Sequence, residues 1–424
     1  MTITIEPKAL SGNVSAISSK SHVHRLLICA GLGTKELFLP CEAVSQDINA
    51  TIRCLNSLGS DIRIEDGGIR IIPVSRNITD RVLDCGESGS TYRFIAPIVC
   101  ALSRKARFSL SGKLPERPMD ALWAALEEHE AKICGKGTAC PVVSGPLIPG
   151  RYMIPGDVSS QFISGLLFAL PILSGESEII IEGKIQSLGY IKLTLAVLDD
   201  FSIKVFPTEY GFRIPGGQTY RTPDIIKPEG DWSNSALWLC AAAAAGRGIT
   251  VSGLLPESCQ GDRAVCDILR HFGAGISRDG NLVSVFPGHL NGIRIDAADI
   301  PDLVPALAVA AAAANGTTVI ENVSRLRLKE SDRVNSVCDT LKKLGGNAEA
   351  DDNTILIRGR GFLSGGKVDS FGDHRIVMMA AAASVICKDS VIITGAEVVR
   401  KSYPEFFKDF TVLGGCVKEG EKKA

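Results

Sequence analysis

The feature of this chain that most constrains its fold is an internal repeat. Two short segments of alternating apolar and polar residues, joined by a turn rich in Gly, Asp or Asn, recur along the sequence and follow a helical pattern each time. These predicted hairpins begin about 70 residues apart, and a sixth starts near Gly414 and runs out at the C-terminus. The five complete hairpins start at Ser60, Ala131, Phe201, Ala274 and Asn347. Such repetition indicates a chain built of similar units that pack against one another.

Each unit also contains two kinds of helix. Apolar stretches recur with the same period and are too uniformly hydrophobic to have a solvent face, so they are predicted to be buried helices. A more polar, amphipathic helix, such as the one predicted over 332–345, lies between a buried helix and its hairpin. The buried helices begin near Ser19, Ser88, Ser159, Asp231, Pro301 and Asp373. The pattern predicts units of the form β-α-β-α-β-β, each with one interior and one exterior helix.

Six such units are too many for one helical core of ordinary size, whereas three and three fit. The sequence therefore predicts an α/β fold of two similar domains, each with three units packed around buried parallel helices. We place the first domain at residues 20–228 and the second at residues 1–19 plus 229–424. The strand-like N-terminus resembles the missing last strand of the sixth unit and is predicted to complete it, the alternative being an independent edge strand. Two chain crossings between domains would form a double hinge, which favours domain closure.

Composition restricts the class of protein. Of 424 residues, 45% are hydrophobic and 22% charged, as in an ordinary soluble globular protein. The formal net charge of −1 gives no overall attraction to nucleic acid or to an anionic membrane. The longest apolar runs fall well short of the ~20 residues that span a bilayer. The N-terminus lacks the apolar core of a signal peptide, and the 13 cysteines include no C-x-x-C pair, so a reduced, cytoplasmic location is expected.

The predicted helix starts carry many ionisable residues. Ser, Asp and Asn are preferred N-caps, and capping is the simpler explanation for Ser90, Asp231, Ser233 and Asp373 taken one at a time. Capping does not explain cations, because they oppose the positive end of the helix dipole. Four cations lie near the starts of buried helices: Lys20, Arg25, Arg93 and Arg375. Their placement predicts that a bound anion offsets them.

Further cations are predicted in loops. Each would ordinarily be a solvated surface charge, but Arg117 is stiffened by the following proline, and Lys329 and Arg333 belong to a dense cluster with carboxylates. Lys401 lies in the segment VRKSYPEFF. The chain has no Walker loop, Rossmann fingerprint or nucleophile elbow in a suitable context, and no His or Cys residues at metal-ligand spacing. Together these features predict an anionic substrate and acid–base chemistry without a cofactor or metal.

Taken in order, the motifs resemble those of the 5-enolpyruvylshikimate-3-phosphate (EPSP) synthase family. The matching segments run colinearly from Ser19 to Phe407 and read SKSxxxR, ESGSTYR, ERPM, SSQF, QSLGY, PD, LKESDR, GDHR and KSYPEFF. No single motif is decisive, but nine in sequence are highly specific. The resemblance implies the enolpyruvyl transferase fold, an inverse α/β barrel of two domains that close around the substrates, and a monomer.

The resemblance also implies a reaction. Members of this family transfer the enolpyruvyl group of phosphoenolpyruvate to the 5-hydroxyl of shikimate 3-phosphate and release phosphate, through a tetrahedral intermediate and without metal or organic cofactor. Both substrates carry a phosphate and a carboxylate. They would therefore supply the anions that the cations at the helix starts require.

Site residues are implied at the positions that match the motifs. Asp302 would be the general base for the 5-hydroxyl, and Glu330 would handle the proton at the methylene carbon with help from Lys401. Lys20 would contact both substrates. The shikimate 3-phosphate site would comprise Lys20, Ser21, Arg25, Ser159, Ser160, Gln161, Ser187, Asp302 and Lys329, with Tyr190 nearby. The phosphoenolpyruvate site would comprise Lys20, Gly89, Arg117, Gln161, Arg333, Arg375 and Lys401.

Some features leave alternatives open. Glu87 and Arg325 stand where the family frequently has Asn, which affects expected substrate affinity, and Arg93 is a candidate partner for Glu87. His374 is either structural or substrate-facing. The nearest alternative activity is enolpyruvyl transfer to UDP-N-acetylglucosamine, but that enzyme carries a reactive Cys where this chain reads SGKLPERPM. A non-catalytic, nucleic-acid-binding ring would need a broad basic face, which the net charge disfavours.

Overall fold

The computed structural model describes residues 1–74 and 81–420. The chain forms two compact units. Lys20–Pro228 make up one, called the N-terminal unit, and Met1–Ser19 together with Glu229–Ala424 make up the other, called the C-terminal unit. Each unit has its own hydrophobic core. The last four residues of the predicted sixth hairpin, 421–424, lie outside the described residues.

The N-terminal unit contributes six helices and eleven strands among the described residues. The helices are α1 (Lys20–Gly31), α2 (Gln46–Ser57), α3 (Gly89–Ala101), α4 (Asp120–Glu127), α5 (Ser160–Ala169) and α6 (Leu188–Asp200). The strands are β3 (Leu37–Pro40), β4 (Asp61–Glu65), β5 (Gly68–Ile72), β6 (Arg81–Gly86), β7 (Lys105–Leu110), β8 (Lys132–Cys134), β9 (Val142–Ser144), β10 (Arg151–Pro155), β11 (Ser177–Glu182), β12 (Phe206–Thr208) and β13 (Gly211–Ile214). They form three sheets, with the strand orders β3-β5-β4, β6-β7-β9-β8 and β10-β11-β13-β12.

The C-terminal unit begins with two strands from the start of the chain, β1 (Thr2–Glu6) and β2 (Ser11–Ser15). Its helices are α7 (Trp232–Ala244), α8 (Val265–Phe272), α9 (Val304–Ala313), α10 (Arg333–Lys343), α11 (His374–Ala383) and α12 (Phe406–Val412). Its other strands are β14 (Gly248–Ser252), β15 (Gly275–Asp279), β16 (Leu282–Phe286), β17 (Arg294–Asp296), β18 (Asn315–Glu321), β19 (Asn347–Ala350), β20 (Thr354–Arg360), β21 (Gly366–Asp369), β22 (Val391–Thr394) and β23 (Cys416–Glu419). The sheets have the orders β15-β16-β14-β2, β17-β18-β20-β19 and β21-β22-β1-β23.

The repeated unit is seen clearly in β10-α5-β11-α6-β12-β13. Strand β10 pairs in parallel with β11, which pairs antiparallel with β13, and the hairpin partner β12 lies at the edge. The same arrangement recurs in the sheets that begin with β6 and β17. The predicted β-α-β-α-β-β unit is therefore confirmed. The first unit has three strands among the described residues, because the strand that precedes α1 pairs elsewhere.

The N-terminal residues complete two sheets of the C-terminal unit. Strand β1 lies between β22 and β23 and is antiparallel to both, with Ile3 opposite Ile393 and Glu419. The N-terminal strand thus pairs with both β22 and β23, the last two strands of the chain. Strand β2 pairs in parallel with β14 and so supplies the leading strand of the fourth unit. The sequence did not predict β2, since its residues SGNVS bury only Val14 and lack the alternation of a half-buried strand.

The buried helices begin where the sequence predicted. The side chains of Ser88, Ser159, Asp231 and Asp373 each accept a hydrogen bond from a backbone N–H of the first turn of α3, α5, α7 and α11, respectively. Helix α9 instead starts from a 3-10 turn, Pro301–Leu303. These caps satisfy N–H groups that the helix itself cannot. They also place polar side chains at one end of each apolar helix.

Small residues let the buried helices approach closely. A Cβ added at Gly165 on α5 would lie 2.3 Å from the carbonyl oxygen of Arg93 on α3, so only glycine fits this contact. In the C-terminal unit, α9 is largely alanine, and every residue from Val304 to Ala312 is buried. Across residues 1–74 and 81–420, no helix is both long and apolar enough to cross a membrane.

Candidate active site

Lys20, the first residue of α1, forms an ion pair with Asp47 on α2. The distance from Lys20 Nζ to Asp47 Oδ2 is 2.7 Å, and the two side chains are 17% and 16% exposed. Sequence reasoning missed Asp47, although the cap formed by Ser45 at the start of α2 was a local signal for polar residues there. Because Lys20 already has a carboxylate partner, its place at a helix start does not by itself require a bound anion.

The side chain of Arg25, in the second turn of α1, is buried inside the N-terminal unit. Its Nε donates to Thr194 Oγ1 at 2.8 Å, Nη1 to the Ser21 carbonyl at 2.6 Å and Nη2 to the Tyr190 carbonyl at 3.0 Å. The guanidinium also lies 5.1 Å from the centre of the Phe94 ring. Burial lowers the pKa of Arg25 to about 10. These three bonds use three of five N–H groups and fix α1 to α6.

Gly89, Arg93, Arg117 and Gln161 come together at the starts of α3 and α5. A Cβ at Gly89 would lie 2.8 Å from Nη1 of both Arg117 and Arg93, so two guanidinium groups cover this glycine. Arg93 Nη1 donates to Gln161 Oε1 at 3.0 Å, and Gln161 Nε2 donates to Ser90 Oγ at 2.8 Å. The arrangement concentrates positive charge beside the backbone of Gly89, which suits a phosphate or carboxylate.

The predicted serines lie at two helix starts. Ser159 caps α5, and Ser160 is its buried first residue. Ser187 precedes α6 with a φ of 57°, a left-handed conformation that is uncommon for a residue other than glycine. Its side chain is buried. The ring centre of Tyr190, one turn later, lies 6.0 Å from the Arg25 guanidinium.

A chain of neutral groups joins three helices. His24 Nδ1 lies 2.7 Å from Thr51 Oγ1, which lies 2.7 Å from Thr91 Oγ1. Thr91 Oγ1 in turn lies 2.7 Å from Oγ of Ser88, the cap of α3. Burial lowers the pKa of His24 well below its ordinary value, so this imidazole is neutral. The chain links α1, α2 and α3 next to Gly89.

In the C-terminal unit, the Arg333 guanidinium is shared by three carboxylates. Nη1 lies 2.6 Å from Asp302 Oδ1, Nη2 lies 2.5 Å from Glu330 Oε2, and Nε lies 2.7 Å from Asp373 Oδ2. The Arg333 side chain is 1% exposed. Burial opposes its charge, but the carboxylates of Asp373, Glu330 and Asp302 outweigh burial and raise the pKa of Arg333 above its ordinary value. The two carboxylates predicted for acid–base chemistry thus meet at one fixed cation.

Lys329 lies beside Asp302. The distance from Lys329 Nζ to Asp302 Oδ1 is 3.5 Å. Removal of most of the Lys329 side chain from water lowers its pKa to about 8, a shift that Asp302 opposes and the positive charge of Arg333 reinforces. Lys329 is therefore a cation whose charge changes near neutral pH, placed within reach of the predicted base.

Arg375 is the third cation around Asp302. Its Nε lies 3.6 Å from Asp302 Oδ1, and its Nη1 donates to the Asp302 carbonyl at 3.2 Å. Nη2 donates to Ser233 Oγ at 2.7 Å. The backbone N–H of Arg375 donates to Asp373, which therefore caps α11 and binds Arg333 at the same time. As with Lys20, a carboxylate inside the same unit offsets part of the positive charge of Arg375. The position of Arg375 at a helix start is therefore weaker evidence for a bound anion than the sequence suggested.

Lys401 and His374 lie close to the start of α11. Lys401 Nζ donates to the Gly372 carbonyl at 2.9 Å and is largely buried. His374 is buried, and its Nδ1 lies 3.9 Å from Oδ1 of Asp373, the residue that caps the same helix. The structure thus brings three cations, Lys329, Arg333 and Arg375, together around the carboxylate of Asp302.

The two departures from the family pattern occupy different units. The Glu87 carboxylate lies over Gly112, where an added Cβ would come within 2.5 Å of Glu87 Oε2. Arg325 lies in the 3-10 turn Ser324–Leu328, and its charge contributes to lowering the pKa of Lys329. Pairing of Glu87 with Arg93 stays a prediction. In the part of the chain that is described, no group of His, Cys, Asp and Glu side chains could hold a metal ion.

Solved structures with the same fold define the class of this protein. An EPSP synthase from Acinetobacter baumannii aligns with a TM-score of 0.82 and 25% identity, covering 99% of this chain and 100% of that one. The enolpyruvyl transferase NikO from Streptomyces tendae aligns with a TM-score of 0.80 at 15% identity, covering 98% of each chain. The predicted enolpyruvyl transferase fold is thereby confirmed.

Sequence relatives narrow the class to a family. The profile of EPSP synthase (3-phosphoshikimate 1-carboxyvinyltransferase) matches residues 5–410. A 3-phosphoshikimate 1-carboxyvinyltransferase from Clostridium kluyveri is 40% identical over 98% of this chain and 98% of its own length. One from Clostridium botulinum is 41% identical over 99% of this chain and 98% of its own. The chain belongs to the EPSP synthase family, as the motifs predicted.

Proposed function

We infer that this chain transfers the enolpyruvyl group of phosphoenolpyruvate to the 5-hydroxyl of shikimate 3-phosphate, giving EPSP and phosphate. This is the reaction of its family, and it is a step of the shikimate pathway toward chorismate and the aromatic amino acids. The observation that carries the inference in this molecule is the shared guanidinium of Arg333. It holds Asp302 and Glu330, the two carboxylates that the reaction needs, at 2.6 and 2.5 Å.

The reaction moves protons at two places. In the addition step the 5-hydroxyl oxygen attacks C2 of phosphoenolpyruvate, the hydroxyl loses its proton, and C3 gains a proton to become a methyl group. In the elimination step C3 loses a proton and the bond between C2 and the phosphate oxygen breaks. We assign the hydroxyl proton to Asp302 and the C3 proton to Glu330, with assistance from Lys401 and Lys20. Positioned acid–base groups of this kind contribute about 10²–10⁴-fold in rate.

Arg333 and Lys329 organise the acid–base groups. A guanidinium in contact with both carboxylates favours their ionised forms and fixes their orientation. The bonds of Arg333 to Asp302, Glu330 and Asp373 use four of its five N–H groups, and the second N–H of Nη1 is the one we assign to phosphoenolpyruvate. Lys329, at 3.5 Å from Asp302, would orient the 5-hydroxyl and the shikimate carboxylate.

Substrate anions would be bound mainly by residues at helix starts. For phosphoenolpyruvate we propose the pair of guanidinium groups over Gly89 together with Gln161, Arg375 and Lys401; Arg117 is the member of that pair predicted from the motifs. For shikimate 3-phosphate we propose Lys20, Ser21, Arg25, Ser159, Ser160 and Ser187. Prearranged donors of this kind hold reacting groups in line and stabilise developing negative charge.

The decisive test is phosphate release. Purified protein is mixed with shikimate 3-phosphate and phosphoenolpyruvate, and inorganic phosphate is measured over time, with omission of shikimate 3-phosphate as the control. Release that depends on both substrates, with EPSP identified by mass spectrometry, is the expected result. Folded protein that releases no phosphate above the control would overturn the proposed function.

Three further properties belong to the same proposal. A monomer is proposed because one chain supplies every predicted residue, and light scattering coupled to size exclusion would test it. A reducing, cytoplasmic location is proposed because all thirteen cysteines, each within the described residues, are free thiols. Domain closure on substrate binding is proposed from the two chain crossings, and a smaller radius of gyration in solution scattering with both substrates would support it.

A further inference from the structure

Asp262 is a buried acidic residue for which the proposed reaction has no use. It lies in the 3-10 turn Gly261–Ala264, which leads into α8, and its side chain is 3% exposed. Burial of a carboxylate is unfavourable unless a specific interaction requires it. The turn lies against the segment that precedes Asp302, because a Cβ at Gly261 would be 3.1 Å from the carbonyl oxygen of Asp299.

The hydrogen-bond directions around Ser233 connect Asp262 to Arg375. Arg375 Nη2 donates to Ser233 Oγ at 2.7 Å, and a guanidinium has no acceptor, so Ser233 Oγ must accept this bond. The hydroxyl hydrogen of Ser233 is then available to another acceptor. That acceptor is the Asp262 carboxylate, which hydrogen-bonds Ser233. The resulting series runs from Arg375 through Ser233 to Asp262, and each bond in it favours an ionised Asp262.

Charged groups of both signs act on Asp262. Asp302 and Asp231 repel its charge, and Arg375 attracts it. The charged side chains that follow it in the turn and on α8, such as Arg263 and Asp267, are exposed to solvent. The buried carboxylate thus interacts with Arg375 and Asp302 of the candidate active site.

We propose that Asp262 is a positioning residue that acts through Ser233 to fix the guanidinium of Arg375 in the orientation that binds phosphoenolpyruvate. This role rests on the proposed function, since Arg375 is assigned to that substrate there. A free guanidinium side chain has many rotamers, and holding it in place before the substrate arrives removes part of the entropic cost of binding. Asp262 therefore affects the affinity for phosphoenolpyruvate more than the rate of the chemical steps.

Stability separates this role from a merely structural one. Burial, followed by the repulsion of Asp302, raises the pKa of Asp262 from 3.8 to about 6. The folded protein thus holds this proton more tightly than the unfolded chain, so the contribution of Asp262 to stability is greatest below pH 3.8 and falls as the pH rises to about 6. At pH 7.5 a neutral residue of the same shape should leave the melting temperature unchanged or raise it.

The test compares Asp262→Asn with Asp267→Asn, an exposed Asp five positions along the chain. Phosphate release is measured at pH 7.5 with saturating shikimate 3-phosphate and varied phosphoenolpyruvate. For Asp262→Asn we expect the KM for phosphoenolpyruvate to rise about tenfold, kcat to change by less than about threefold, and the melting temperature not to fall. Asp267→Asn should match the wild type in all three quantities.

Ser233→Ala keeps the charge of Asp262 but removes the link, and it covers the case in which Asp262→Asn does not fold. It should raise the same KM by a similar factor. A KM within about twofold of the wild type in a folded Asp262→Asn or Ser233→Ala protein would overturn the role of Asp262 while leaving the proposed function intact. A wild type that releases no phosphate would overturn both. A lower melting temperature with an unchanged KM would show that Asp262 is only structural.

Discussion

The two units place different kinds of side chain at the same structural position, the start of a buried helix. In the N-terminal unit, neutral groups link α1, α2 and α3: His24, Thr51, Thr91 and Ser88 form one hydrogen-bonded chain, next to the ion pair of Lys20 with Asp47. In the C-terminal unit, charges join the helix starts, because Arg333 spans three carboxylates. The frame is the same sheet-and-helix unit in both, so the difference lies in the side chains alone.

This difference separates two kinds of chemistry. When a guanidinium donates to an amide or carbonyl oxygen, as Arg93 does to Gln161, that bond does not neutralise its positive charge. When carboxylates share a guanidinium, the cation instead fixes their ionisation and orientation. We therefore expect mutations around Gly89 in the N-terminal unit to act mainly on substrate affinity, and mutations of the carboxylates held by Arg333 in the C-terminal unit to act mainly on turnover.

The largest expected effect comes from Asp302→Asn in the C-terminal unit. Loss of the carboxylate removes the proposed base, so kcat should fall about 10²–10⁴-fold. Binding of shikimate 3-phosphate, measured by calorimetry, should change far less. Asp279→Asn at the exposed end of β15 is the control and should retain full activity. Normal turnover in Asp302→Asn would show that Asp302 is not the base, and turnover would then not depend on the carboxylates held by Arg333.

The matching test in the N-terminal unit is Gly89→Ala. The new Cβ would lie 2.8 Å from two guanidinium nitrogens, so Arg93 and Arg117 would have to move. The KM for phosphoenolpyruvate should rise about 10–100-fold with a smaller change in kcat. Gly275→Ala is a suitable control, because its Cβ would meet its nearest neighbour, Phe286 Cβ, at an ordinary 3.4 Å. A fall in kcat with unchanged KM would contradict the assignment of this unit to anion binding.

Next in size is the pH dependence that Lys329 should impose. Its pKa of about 8 means that the ammonium loses its proton as the pH rises through that value. If the charged form orients the substrates, kcat/KM should fall about tenfold per pH unit above pH 8. In Lys329→Arg the guanidinium stays charged, and the decline should disappear or move to higher pH.

Stability should respond to Lys329 in the opposite direction. Since folding lowers the pKa of Lys329 from 10.5 to about 8, its contribution to stability is least favourable below pH 8 and improves as the pH rises to 10.5. A melting temperature that improves relative to Lys329→Arg over this range, while kcat/KM declines, would identify Lys329 as the titrating group. An identical decline of kcat/KM in Lys329→Arg would assign the decline to another residue.

Local features of the site were predictable from the sequence and distant ones were not. Caps depend on residues within one turn, and the structure has those predicted at Asp231 and Asp373; the other two candidates were wrong, because α3 is capped by Ser88 and not by Ser90, and Ser233 lies inside α7. The bonds of Asp373 and Asp302 to Arg333 join residues 40 and 31 positions apart, and no spacing rule reaches that far. Asp262 gave no signal at all, because a single Asp in QGDR is typical of an exposed turn.

The smallest expected effect tests the neutral chain of the N-terminal unit. Thr51→Val keeps the shape of the side chain but removes the hydroxyl between His24 and Thr91, leaving buried polar groups without their partner. The free energy of unfolding should fall by about 1–3 kcal/mol, measured by urea denaturation. Thr411→Val is the matched control, because its exposed hydroxyl donates to the Phe407 carbonyl at 2.9 Å and its loss should cost less than about 0.5 kcal/mol. If Thr51→Val instead lowers kcat as strongly as Asp302→Asn, the neutral chain takes part in turnover, and turnover does not depend mainly on the carboxylates held by Arg333.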